Sequence, residues 1–149
     1  MKRRPFWTLN KLIAAGVLGS FAFLLLDIRF EHRLVLSEKP VAWIPIVFSG
    51  IMLLLSVPSL IWWEPRGRQV LRAGFTVALA VGLLGTWFHT EGQPAAVFKV
   101  LSVWIAPGSN AASSQSVAGP PVLAPLAFCG LGLFGVLACS RRFPSEPPA

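Results

Sequence analysis

Four apolar runs constrain this chain more than any other feature: residues 12–26, 41–63, 70–88 and 121–139 contain no acidic residue. Each is within a few residues of the roughly 20 that a helix needs to cross a hydrocarbon core of about 30 Å. A water-soluble domain of 149 residues has no use for four such runs. With 54% hydrophobic and only 13% charged residues, the composition agrees that this is an integral membrane protein. The expected fold is all-α: a four-transmembrane-helix, up-and-down bundle in one membrane domain. Its spans are placed at about 6–33, 41–63, 70–88 and 121–140, with a long outer loop at 89–120 and a disordered tail at 143–149. The first and third runs are short, so they must borrow flanking residues, with Lys11 and Arg72 extending their charged ends to the interface.

MKRRPFW and the apolar run after it resemble a secretory signal, but Leu24, Leu25 and Leu26 lead straight into Asp27 with no small-residue cleavage site. The segment is therefore expected to remain as the first span. Four spans put both chain ends and the 64–72 link on one side. That side holds nine basic residues against two acidic ones, a net +7, which is the charge of the whole chain. The other side, with Arg29, Arg33, Lys39 and Lys99 against Asp27, Glu31, Glu38 and Glu91, is neutral. Basic residues mark the cytoplasmic face, so both termini are expected in the cytoplasm of a bacterial-type inner membrane. Tryptophan supports the same depths, because its ring prefers the headgroup level. Trp7, Trp62 and Trp63 fall at the inner border, and Trp43, Trp87 and Trp104 at the outer one. The basic face is thereby explained by topology and anionic lipid, and no nucleic-acid partner is expected.

Several motifs are decoys. GLGLFG, residues 130–135, matches a dinucleotide-binding pattern but lies inside an apolar run, where no strand precedes it. Close helix approach is the expected role of Gly130, Gly132 and Gly135, as of Gly16, Gly19, Gly82 and Gly85 in the first and third spans. Cys129 and Cys139 are about 15 Å apart along a helix, beyond disulfide reach, which excludes a thiol relay built on paired loop cysteines. Pro58 is expected to kink the second span near its inner end, with Ser56 and Ser59 available to satisfy freed backbone groups. In the outer loop, AAVFKVLSVWIA is apolar enough to lie on the membrane. The following PGSNAASSQSVAGPP is turn-rich, a lid or a partner-binding segment.

The chemistry concentrates in LDIRFEHR, residues 26–33. On a helix continued through Arg33, Asp27 and Glu31 share one side, and Arg29 and Arg33 share the opposite side. Both pairs are like-charged, so each needs partners elsewhere. Asp27 and Glu31 are expected to turn inward, and Arg29 or Arg33 towards Glu38, Glu91 or the headgroups. WFHTE, residues 87–91, ends the third span at the same depth, so His32 and His89, the only histidines, meet the same interface. Together Asp27, Glu31, His32, His89 and Glu91 form either a structural polar network, with Arg29 and Arg33 as ion-pair partners, or a nitrogen and oxygen set suited to a divalent metal. Haem is a more demanding reading of the same two histidines. One metal requires the imidazoles to lie within about 8 Å of each other.

These residues name no reaction. The expected function is that of an accessory or interaction subunit, partnered by the bilayer and by another membrane subunit or a second copy of itself. A metal- or haem-binding oxidoreductase, or a metal-dependent enzyme, is the alternative. A small transporter is the weakest reading, because Asp27 lies near the outer end rather than at the midplane where a coupling carboxylate belongs.

Overall fold

Thr8, itself extended, caps the first helix, its hydroxyl accepting from the Lys11 amide at 3.3 Å. A computed structural model of the chain describes residues 7–93, 95–98, 102 and 125–140. Helix α1 then runs Leu9–Glu31, 23 residues, or about 35 Å at 1.5 Å per residue. It starts later and ends earlier than the 6–33 expected. At its N-terminal end Lys11 is buried, with its ammonium 4.9 Å from the centre of the Trp7 ring. At the C-terminal end His32 leaves the helical region, and the chain tightens into turns through bonds from Arg33 to Phe30 and from Val35 and Leu36 to His32.

After a single tight turn at Pro40–Ala42, α2 runs Trp43–Ile61 and α3 runs Arg68–His89. Pro58 stays inside α2, and its carbonyl accepts from the Trp62 amide at 2.9 Å to end the helix. Ser56 donates to the Leu53 carbonyl at 2.6 Å. The link Trp63–Gly67 contains a cis Glu64–Pro65 bond and an extended Glu64. It closes with the Gly67 amide donating to the Trp62 carbonyl at 2.9 Å. A side chain at Gly67 would collide with the carbonyls of Ser59 and Trp62, so the hairpin requires glycine there. α1, α2 with its leading turn, and α3 with the preceding link are each long and apolar enough to cross a membrane.

Helix α4, Leu126–Ala138, has 13 residues, about 20 Å of helix. The first residues of the expected fourth span, 121–124, lie outside the described residues. So do most of the 89–120 loop, Trp104, Lys99 and the 143–149 tail. Residues 96–98 are helical, and no strand occurs among the described residues.

The core forms where each helix contributes one phenylalanine: Phe21 from α1, Phe48 from α2, Phe75 from α3 and Phe128 from α4. Phe21 sits 5.9 Å from Phe48, 6.3 Å from Phe75 and 5.7 Å from Phe128, ring centre to ring centre. Such pairs contribute about 0.5–1.5 kcal/mol each beyond the area they bury. Lipid offers no hydrophobic drive for helices to associate, so contact and backbone proximity must hold them. α3 and α4 are the most closely apposed pair. A Cβ on Gly132 would lie 2.7 Å from the Phe75 carbonyl oxygen, and one on Gly82 would lie 2.8 Å from the Cys129 nitrogen. The Cys129 thiol donates to the Leu79 carbonyl across this seam at 3.6 Å. On the outside, Phe23, Leu54, Leu83 and Phe134 are largely exposed, the distribution expected of helices that face acyl chains.

Candidate functional site

Three residues one helical turn apart, Leu24, Ile28 and His32, carry the inward face of α1 past the end of the phenylalanine cluster. On α3 the same spacing brings Val81, Gly85 and His89 to the same depth. Where these faces meet α2 and the start of α4, a cavity of about 70 Å³ remains, completed by Ile44 and Pro45 on one side and by Pro125 and Phe128 on the other. Its polar lining is Asp27, His32 and His89.

The two imidazoles face one another with ring centres 6.0 Å apart and planes inclined at 58°. Two histidines on one metal, with bonds near 2.1 Å, have ring centres roughly 5–6.5 Å apart, so this separation meets that requirement. His32 Nδ1 is 3.2 Å from the Ile28 carbonyl oxygen. A carbonyl can only accept, so Nδ1 carries the hydrogen, and in the neutral ring Nε2 is left as a lone pair. A backbone carbonyl that fixes the imidazole in this way is also how metal-bound histidines are oriented.

The carboxylates divide. Asp27 and Glu31 are both exposed, but only Asp27 lines the cavity. Glu91 is carried away by backbone geometry. The helix ends at Thr90, Glu91 adopts a left-handed φ of 52° and Gly92 one of 77°, and the Gly92 amide donates back to the Trp87 carbonyl at 2.9 Å. Glu91 is exposed as a result. Arg29 and Arg33 are exposed too, and among the described residues neither pairs with Glu38, Glu91 or any other acid. The ion pair present among them is Arg68 with Glu64 at 2.8 Å, on the α2–α3 link. No three His, Cys, Asp or Glu side chains among the described residues are grouped closely enough to hold one metal ion.

The seven glycines also divide. Gly82, Gly85, Gly132 and Gly135 meet the facing helix so closely that an added Cβ would overlap it, Gly85 against the Pro125 ring and Gly135 against the Phe75 ring. Gly16, Gly19 and Gly130 have open space before them. Sequence reasoning did not single out the apolar walls of the cavity, Val81, Phe88 and Phe128 among them. A Phe or Val one turn from a histidine looks the same whether it lines a cavity or fills a core. The signal available was the shared depth of His32, His89 and the prolines Pro45 and Pro125, all four of which line the cavity.

Comparison of the chain with protein-family models, with curated proteins and with solved structures finds no match.

Proposed function

We propose that this chain is a four-span accessory protein of a bacterial-type inner membrane, with both termini cytoplasmic, that acts by binding at its outer end. The fourth span is α4 extended through the residues before it, and the 89–120 segment is the outer loop. The observation that carries the reading is the convergence of Asp27, His32 and His89 on one cavity at the ends of α1 and α3. A small, mostly apolar cavity with a few convergent polar groups is the usual form of a ligand site. The open faces at Gly16 and Gly19 leave α1 free to meet a further membrane helix, from another subunit or a second copy.

Orientation is tested by single cysteines in a variant lacking Cys129 and Cys139, labelled in spheroplasts with an impermeant maleimide. Positions 38 and 110 should label from outside, and positions 2 and 146 only after lysis. External labelling at either terminus would contradict the side assigned to the cavity.

A second reading, one divalent metal held by the two imidazoles, is favoured by their 6.0 Å separation and by the Ile28 anchor on His32. It requires stoichiometric metal in the purified protein and its loss in both His32→Gln and His89→Gln. Metal retained by either variant, or none in the parent after metal loading, would remove this reading.

A further inference from the structure

The identity of the ligand can be narrowed by the chemistry of the cavity walls, on the reading above that the cavity is a binding site at the membrane's outer edge. Hydrogen-bond polarity comes first. With Nδ1 committed to Ile28, neutral His32 offers only the Nε2 lone pair. Asp27, on the same wall, offers acceptor oxygens and makes no hydrogen bond or ion pair with a described residue. The α1 wall therefore presents acceptors and calls for a donor.

Size comes second. One water needs about 10–15 Å³ of such space, so 70 Å³ holds about five waters, on the order of 150 Å³ of liquid. That is room for about one bare six-membered ring, so ring substituents and tail must lie in the cavity's mouth, and it is far too little for a haem macrocycle. Access comes third. Four lining side chains, Val41 of the turn before α2, Ile44 of α2, and Leu84 and Phe88 of α3, are themselves 38–48% exposed. The apolar lining thus continues onto the outer surface along the α2–α3 side, where an alkyl chain can lie without meeting a charge. Charge comes last. Asp27 opposes an anion, and the apolar walls would desolvate a fixed cation. A metal ion would find two imidazoles and one carboxylate that are not grouped as a three-ligand set.

We propose that the cavity binds the head of a lipid-soluble hydroquinone: a single ring whose hydroxyl donates to His32 Nε2 or Asp27, with its tail leaving between α2 and α3. The shared chemistry is a phenolic O–H on one ring, which a water-soluble phenol from the outer side could also supply. The exposed apolar side chains favour the lipid source.

The test is titration calorimetry on the detergent-solubilised full chain with three probes: decylubiquinol kept reduced, decylubiquinone and 4-methylphenol. Decylubiquinol should bind at least tenfold more tightly than decylubiquinone, which lacks the donors, and more tightly than 4-methylphenol, which lacks the tail. His32→Leu should weaken decylubiquinol at least tenfold and His32→Gln less, because an amide can still accept. Val81→Phe fills the cavity, so it should abolish binding while keeping the melting temperature at or above the parent's. That variant separates loss of the site from loss of the fold.

Equal affinity for the oxidised and reduced probes would overturn the donor argument. Equal affinity for 4-methylphenol would overturn the lipid source, and undiminished binding to Val81→Phe would overturn the location. Stoichiometric metal lost with His32 would assign the cavity to the ion instead. None of these outcomes depends on which side of the membrane the cavity faces, so the orientation labelling can fail or succeed independently.

Discussion

Gly132→Ala adds one methyl group where the structure has no room for it. The new Cβ would lie 2.7 Å from the Phe75 carbonyl oxygen, 3.0 Å from the Leu79 nitrogen and 3.1 Å from Leu79 Cγ. Two of these neighbours are backbone, so relief requires α3 and α4 to separate by roughly half an ångström or more, loosening Phe75, Gly82 and Cys129 along the seam. Overpacking of this kind costs about 1–3 kcal/mol. Helix propensity acts the other way, since alanine is favoured over glycine by about 0.8–1.0 kcal/mol, so the net loss should be at most about 2 kcal/mol.

Gly130 supplies the control. It sits in the same helix two residues away, with nothing within 4 Å of an added Cβ. Gly130→Ala should therefore be neutral or stabilising by up to about 1 kcal/mol. Thermal unfolding of both variants in the same detergent should place Gly132→Ala below the parent and Gly130→Ala at or above it. Gly132→Leu should be worse still. If Gly132→Ala melts with the parent, or if both alanine variants fall together, close approach at Gly132 does not hold α3 to α4.

Gly67→Ala should be more damaging than Gly132→Ala, because its Cβ would collide with the carbonyls of Ser59 and Trp62 inside a tight hairpin. A melting temperature within a degree or two of the parent's would refute the packing of that link. Glu64→Gln removes the Arg68 partner, but the glutamate side chain is half exposed, so the loss should stay below about 1 kcal/mol and vanish in high salt. A larger, salt-independent loss would mean that Glu64 does more than pair.

Much of the fold could be read from the sequence because a bilayer imposes one dominant rule. Runs of apolar residues of the right length must become helices whose backbone bonds close internally; α1 and α2 lie within the expected spans 6–33 and 41–63, and α3 overruns 70–88 by two residues at its start and one at its end. Boundaries were harder, because they depend on local contacts. A serine-like cap at Thr8 and the Trp7–Lys11 contact set the start of α1, and no hydropathy pattern contains either.

At the site, shared depth placed His32 and His89 at the same interface, but nothing in the spacing established that their rings would face each other. Neither depth nor spacing could predict which carboxylates would follow. Asp27 and Glu31 both lie on α1 and share a side, yet only Asp27, one turn nearer the core, reaches the cavity lining. Glu91 depends on the left-handed pair Glu91 and Gly92, for which TEG in the sequence was the available clue. Of the glycines, those facing α3 or α4 and those facing outward share one composition signature. Only the helix phase at the seam separates Gly132 from Gly130.

The central claim is that His32 and His89 meet in one cavity at the outer end of the bundle, and a distance taken from outside the cell tests it most directly. His32→Cys and His89→Cys, combined in a variant lacking Cys129 and Cys139, would be treated in spheroplasts with a short, membrane-impermeant, thiol-specific crosslinker. Peptide mass spectrometry would then read the products. Rings 6.0 Å apart predict one crosslinked species joining the α1 and α3 peptides, formed without lysis. Two separate mono-adducts would contradict the convergence, and crosslinking only after lysis would contradict the outer location.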